Sequence, residues 1–289
     1  MSVTNVSTMS ATTEPATLQL RTEEEPPVQA GAKPFNFSLE KDSASVEEER
    51  QHRKETLAAA FRIFAKHGLG VGVVGHLTVR DPGRPDCFWV NPFHVAFSCM
   101  RTGDLLLIDH NGEVIDGGAS GRRYNQAAFA IHAMIHNKRP DVIAVCHSHS
   151  VYGSAFASLG RLPDFITQDS LVFYDDISLY PAFGGVILAE EESIKIAEYL
   201  GNRKAVILQN HGLLTVGGSV ESATFWFLYL EKVCQMQLLV DATGQKPIPI
   251  GVEEAKFTAA QTGTEESGKF HFQPYLQDID KETGRDYVA

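Results

Sequence analysis

An apolar run that ends in two histidines places the strongest restriction on how this chain folds. Residues 140–150 read PDVIAVCHSHS, with a single serine between the histidines. A short apolar run between polar segments predicts a strand that is buried in a sheet. Because side chains alternate along a strand, His147 and His149 would lie on the same face at its carboxyl end. The chain is therefore predicted to place two imidazoles together at one edge of a sheet.

A third histidine follows a second apolar run. Residues 205–216 read AVILQNHGLLTV, so His211 stands in a polar turn between two predicted strands. Beside the first strand, His211 could join His147 and His149 in a site with three nitrogen ligands. Three protein ligands leave one position open for substrate, as in catalytic zinc sites. We expect Zn²⁺, with Fe²⁺ or Mn²⁺ as alternatives, because three imidazoles do not discriminate strongly between these ions.

The flanking segments divide the chain into an arm, a domain and a tail. Residues 1–44 are rich in Ser, Thr, Glu and Pro. This composition predicts a disordered N-terminal arm, because too little apolar surface is available for burial. Strands alternate with helices over residues 45–245, which predicts a single α/β domain. Residues 246–289 show weak periodicity and are predicted to form an extended C-terminal tail.

Charge and cysteine content restrict the partners and the compartment. The net charge of −11 argues against a nucleic-acid partner, since such proteins present a clustered basic face. No apolar run approaches the roughly 18 residues of a membrane-spanning helix, so we expect no membrane insertion. The four cysteines are widely spaced and the amino terminus has no apolar signal core. We therefore expect reduced thiols and a cytoplasmic location.

Three segments occur in an order that is typical of one family. They read GHLTVRDP, RPDVIAVCHSHS and QNHGLLTVGGSVESA. The chain resembles the class II aldolase and adducin family over roughly residues 50–240. Its segment YNQAAFAIHAMIH is closer to the adducin-like branch of that family, and the sequence as a whole resembles the short adducin-like proteins of fungi. The resemblance implies a three-layer α/β/α fold with a central, mostly antiparallel sheet, assembled as a homotetramer.

The resemblance also implies a chemistry. In the sugar-phosphate aldolases of the family, three histidines that match His147, His149 and His211 bind zinc. The metal polarises substrate oxygens and stabilises the enolate that forms when a carbon–carbon bond breaks. The implied function is a lyase for a small, oxygen-rich carbonyl or carboxylate substrate, acting by retro-aldol cleavage or decarboxylation. With iron in the site, an oxygenase-type reaction becomes possible.

Two positions depart from the pattern of those aldolases. Their acid/base glutamate corresponds to Ala128, and their phosphate-binding serine pair corresponds to residues 126–127, Gln and Ala, so a sugar phosphate is not expected as substrate. An imidazole or a loop carboxylate could replace the glutamate, because both exchange protons in an accessible pH range. The candidates for this catalytic role are His76, His94 and Asp169. The residues expected to bind substrate are Gly75, His76, Asn91 and Gln168.

Two more histidines and a second functional class stay open. His132 and His136 are one helical turn apart, a spacing that could bind metal, although we expect them to face the sheet and its loops. Because the acid/base carboxylate is absent, the chain could also be a non-catalytic, adducin-like oligomeric scaffold. Actin or another component of the cytoskeleton is expected as a partner only under that alternative.

Overall fold

The computed structural model describes residues 45–185 and 190–289. The predicted N-terminal arm, residues 1–44, lies outside the described residues. The first helix, α1 (Val46–Lys66), begins where Ser45 accepts a hydrogen bond from the backbone N–H of Glu48, while the Glu48 carboxylate accepts one from the backbone N–H of Ser45. This reciprocal pair satisfies two amides at the start of the helix.

One mixed sheet organises the described part of the chain. Its order is β4-β3-β2-β1-β5-β8-β7-β6, and every neighbouring pair is antiparallel except β6 and β7. The central position of β5 explains why its apolar run is buried on both faces. The strands are β1 (His76–Arg80), β2 (Phe88–Val90), β3 (Leu106–Ile108), β4 (Val114–Gly117), β5 (Ala144–Ser148), β6 (Ile177–Tyr180), β7 (Ala205–Leu208) and β8 (Gly212–Gly217).

Helices cover both faces of this sheet. Against one face pack α1, α3 (Val151–Ala157) and α5 (Val220–Ala242). Against the other pack α2 (Gln126–Lys138) and α4 (Glu190–Leu200). Alternation along β5 follows this division, because Cys146 lies in the α1/α5 core while Val145 lies in the α2/α4 core. The predicted α/β class, with three layers and a mostly antiparallel sheet, is confirmed.

The predicted extended tail over residues 246–289 is wrong. This segment forms α6 (Val252–Thr262) and α7 (Glu265–Thr283), and α7 packs along α5 with Phe272 and Ile279 fully buried. The apolar positions recur at helical spacing, but they are few, and Pro274 stands among them inside the helix. Packing against α5 supplies the stability that the weak local pattern does not indicate. In the described ranges, every helix is too short or too polar to cross a bilayer.

Candidate metal centre

The central strand β5 places the first histidine of the site. His147 is buried, lies opposite His76 on β1 and opposite Leu214 on β8, and its Nδ1 is 2.8 Å from the Leu213 carbonyl oxygen. Because a carbonyl oxygen only accepts, Nδ1 carries the proton and donates it. The Nε2 lone pair of His147 is therefore free for a metal ion, in the arrangement that protein carbonyls commonly impose on histidine ligands.

The other two histidines stand on the turns that follow β5 and β7. His149 comes directly after β5, and His211 lies in the turn from β7 to β8, where Asn210 adopts a left-handed φ of 57°. The Nε2 atoms of His149 and His211 are 2.9 Å apart. The three rings have centroid separations of 4.7 to 5.2 Å. Sheet topology thus brings together histidines that are more than sixty residues apart in the sequence.

The nitrogen set has the size and the protonation state that a small cation requires. One ligand nitrogen from each residue lies within 4.8 Å of the other two. Nitrogens that share a tetrahedral zinc ion at ~2.0–2.1 Å are about 3.3 Å apart, so a modest side-chain adjustment satisfies the geometry. Burial lowers the pKa of each imidazole, and that of His211 falls to about 4. The rings are therefore neutral near pH 7, which is the form that binds a metal.

An apolar cavity of about 290 Å³ opens in front of these nitrogens. Ala128 lines it, so a methyl group stands at the position where the resemblance implies the glutamate of the sugar-phosphate aldolases. Among the described residues of the lining there is no lysine, arginine, aspartate or glutamate. Its members are Val73, Val74, His76, Asn125, Ala127, Ala128, Ile131, His147, His149, Phe183, Gly185 and His211.

The structure separates the other predicted site residues into two groups. His76 lines the cavity, and Gly75 and Asn91 lie just behind it, since the Asn91 amide is 3.4 Å from the Gly75 carbonyl oxygen. His94 is exposed, and it lies with Asn91 along a small neighbouring recess.

Gln168 and Asp169 lie outside the cavity lining. Gln168 is exposed, and the Asp169 carboxylate accepts a hydrogen bond of 2.8 Å from the Tyr229 hydroxyl on α5. The acid/base role proposed for Asp169 and the substrate contact proposed for Gln168 therefore have no support from their positions in this chain.

His132 and His136 face the sheet, as expected, rather than a metal. Both are buried, and both bond to the same hydroxyl: Thr78 Oγ1 is 2.9 Å from His132 Nδ1 and 3.0 Å from His136 Nε2. Burial, together with the nearby Arg80 charge, lowers the pKa of His136 to about 3.

Two residues that support the site were not predicted from the sequence. Asn125 lines the cavity and caps α2, accepting a hydrogen bond from the Ala128 amide at 3.1 Å. An asparagine directly before a helical pattern is a signal that could have indicated this cap. Glu231 on α5 accepts hydrogen bonds from the backbone amides of Tyr152 and Gly153 and from the Ser150 hydroxyl, immediately after His149. No local pattern reveals this contact, because it joins positions about eighty residues apart.

These features define a member of the class II aldolase and adducin family. The family model described as the class II aldolase and adducin N-terminal domain matches residues 55–238, and the chain belongs to this family. The match includes the three clustered histidines and the position of Ala128.

Particular relatives include a eukaryotic protein, a bacterial decarboxylase and an aldolase of known structure. The meiotically up-regulated gene 14 protein of Schizosaccharomyces pombe is 45% identical over 64% of this chain and 72% of its own length. The decarboxylase NovR of Streptomyces niveus is 42% identical over 78% of this chain and 83% of its own length. The solved L-fuculose 1-phosphate aldolase of Glaciozyma antarctica PI12 superposes with a TM-score of 0.80 at 49% identity, covering 87% of this chain and 97% of that one.

Proposed function

We propose that this protein is a cytoplasmic, metal-dependent carbon–carbon lyase whose preferred reaction is decarboxylation of a 3-oxo acid that carries an apolar substituent. The observation that carries the proposal is the cluster of three neutral histidines at the end of an apolar cavity. His147, His149 and His211 are the proposed ligands of Zn²⁺, with Fe²⁺ or Mn²⁺ as alternatives. The ion would supply Lewis-acid stabilisation of the negative charge that bond cleavage leaves on a substrate oxygen.

The lining of the cavity supports the choice of substrate class. A phosphate group would need cationic or several amide donors, and the described lining residues include no lysine or arginine. Val73, Ile131 and Phe183 instead present aliphatic and aromatic surface. Burying an apolar substituent there contributes about 25 cal/mol for each Å² removed from water. An aryl or alkyl 3-oxo acid fits this surface better than a sugar phosphate.

Ala128 supports decarboxylation over retro-aldol cleavage. Retro-aldol cleavage requires a base that removes the proton of a substrate hydroxyl before the bond breaks. In decarboxylation the electron pair comes from the departing carboxylate, so no proton has to be removed first. A site with a methyl group at the position where the resemblance implies the glutamate of the sugar-phosphate aldolases can therefore still perform decarboxylation, and the similarity to a bacterial decarboxylase agrees with this choice.

The test compares two substrates on the same metal-loaded protein. Purified protein, with its zinc content measured, is incubated with benzoylacetate and separately with L-fuculose 1-phosphate, and released carbon dioxide and aldehyde are quantified. We expect one metal ion per chain and carbon dioxide release that is lost in His147→Ala. Cleavage of the sugar phosphate alone would contradict the decarboxylation proposal.

The same preparation tests the alternative functional class. A protein that binds no metal and turns over neither compound would overturn the enzyme proposal and favour the non-catalytic, adducin-like scaffold.

We also propose a homotetramer. Its contacts would cover the apolar side chains of Val151 and Leu239, which are 69% and 63% exposed in the single chain. Light scattering that gives a monomer at micromolar concentration would contradict the assembly without affecting the chemistry.

A further inference from the structure

A buried chain of hydrogen bonds runs from the sheet to the wall of the cavity. It begins at the Val142 carbonyl oxygen, 3.2 Å from His136 Nδ1. It continues from His136 Nε2 through the Thr78 hydroxyl to His132 Nδ1, at 3.0 and 2.9 Å. His132, His136 and Thr78 are each at most 1% exposed. Solvent therefore cannot replace any member of this chain.

The first acceptor determines the direction of every later bond. The Val142 oxygen only accepts, so His136 Nδ1 carries a proton and its Nε2 presents a lone pair. The Thr78 hydroxyl must donate to that lone pair and is left to accept from His132 Nδ1. His132 is therefore also protonated on Nδ1, and its Nε2 presents a bare lone pair.

The chain ends between two unpartnered nitrogens. Among the described residues, His132 Nε2 and His76 Nδ1 are buried side-chain atoms without a hydrogen-bond partner. The two rings are in edge contact, with centroids 4.3 Å apart. The His132 ring thus carries a lone pair beside an imidazole whose buried nitrogen also lacks a partner. Leaving both buried atoms unsatisfied is unfavourable, whereas a proton on His76 Nδ1 would let one water molecule accept from His76 and donate to His132 Nε2.

We propose that this buried chain holds His76 with its proton on Nδ1 and so presents a bare His76 Nε2 acceptor to a hydroxyl group of the substrate. The assignment of that role rests on the proposed function, since it requires a substrate beside the histidine cluster. His76 is 4% exposed and lines the cavity, so the ring edge opposite the buried Nδ1 is the edge that the substrate meets.

A fixed acceptor has a consequence for specificity. A bare lone pair attracts a hydroxyl donor and repels a carbonyl or carboxylate oxygen, which can only accept. A 3-oxo acid that also carries a hydroxyl group is therefore expected to direct that hydroxyl towards His76 and its oxyanion away from it. In this arrangement Thr78 is a positioning residue, because it acts on the substrate only through His132 and His76.

The first test reads the positions of the protons without metal or substrate. Long-range proton–nitrogen spectra of metal-free protein, labelled with ¹⁵N-histidine, distinguish the two neutral forms of each ring. We expect His76, His132 and His136 to carry the proton on Nδ1. A proton on Nε2 of His76 or of His132 in the wild-type protein would overturn the proposal, whether or not the protein is an enzyme.

Three threonine variants test whether the position of the proton on His76 depends on this chain of hydrogen bonds. Thr78→Val removes the central hydroxyl and should allow His132 and His76 to populate both forms, while Thr78→Ser should keep the wild-type pattern. Thr215→Val is the matched control, because its hydroxyl is equally buried in the sheet but donates to the Ala223 carbonyl oxygen on the opposite face. A wild-type pattern in Thr78→Val would contradict the proposed role of this chain of hydrogen bonds.

The second test measures recognition of a hydroxyl group. Mandelate and phenylacetate differ by one hydroxyl, and their binding to zinc-loaded protein can be compared by calorimetry. We expect wild-type protein and Thr215→Val to prefer mandelate by about tenfold, and Thr78→Val to lose about fivefold of this preference. Unchanged preference in Thr78→Val would overturn the role of the chain. Failure of the wild-type protein to bind zinc would instead count against the proposed function. The spectra of the metal-free protein would still show whether the chain of hydrogen bonds fixes the proton on His76 Nδ1.

Discussion

Replacing Glu231 with glutamine should weaken both the fold and the metal site. The Glu231 carboxylate receives hydrogen bonds from the amides of Tyr152 at 3.0 Å and Gly153 at 2.7 Å, and from the Ser150 hydroxyl. These donors form the first turn of α3, directly after His149. Glu231→Gln keeps the shape of the side chain but removes its charge and turns an amide N–H₂ towards at least one donor.

The magnitude follows from the number and kind of bonds. A hydrogen bond to a charged acceptor contributes about 1.5–3 kcal/mol and a neutral one about 1 kcal/mol. Losing one bond of Glu231 and weakening two should lower the free energy of unfolding by at least about 2.5 kcal/mol. For a domain of this size that is a fall in Tm of roughly 5–10 °C. Loosening the turn that carries His149 should also reduce zinc affinity by about tenfold.

Thermal unfolding of the metal-free protein and a competitive zinc titration measure the two effects separately. Glu198→Gln is the matched control, because Glu198 pairs with Lys138 at 2.9 Å but is 61% exposed. That substitution should change stability by less than about 0.5 kcal/mol. If Glu231→Gln were no less stable than Glu198→Gln, the reasoning about the turn after His149 would be refuted.

Two further perturbations test the packing and the buried histidines. In Gly75→Ala the added methyl group would stand 2.9 Å from the Phe97 ring and 3.3 Å from the Ser148 hydroxyl. Urea unfolding should therefore show a free energy of unfolding that is lower by about 1–3 kcal/mol. A variant as stable as the wild-type protein would show that the Phe97 ring can move aside. The pKa of His136 falls from 6.5 in the unfolded chain to about 3 in the fold, through burial and the Arg80 charge, so protonation favours the unfolded chain. Between pH 6.5 and 3 this group should lower the free energy of unfolding by up to about 1.4 kcal/mol per pH unit as the pH falls. His136→Gln should show a shallower pH dependence, and an unchanged slope would contradict this account.

Local patterns were sufficient to predict the elements whose signals are contained in a short window. The apolar run of β5 lies within five consecutive residues, and the predicted start of the domain at residue 45 coincides with the Ser45 cap of α1. α7 was missed because its signal is not contained in a short window. Its helix depends on packing against α5, and Pro274 interrupts the local signal.

The sequence by itself determined that His147 and His149 share a face at a strand end, because side-chain alternation is a property of any extended strand. The resemblance also implied that Ala128 stands where the sugar-phosphate aldolases of the family have a glutamate. Only the tertiary structure decided that His211 meets these two residues, that Glu231 supports their turn, and that His76 lies against His132. Those contacts depend on strand order and on helices crossing the sheet, and no local pattern encodes distances between segments that are far apart in the chain.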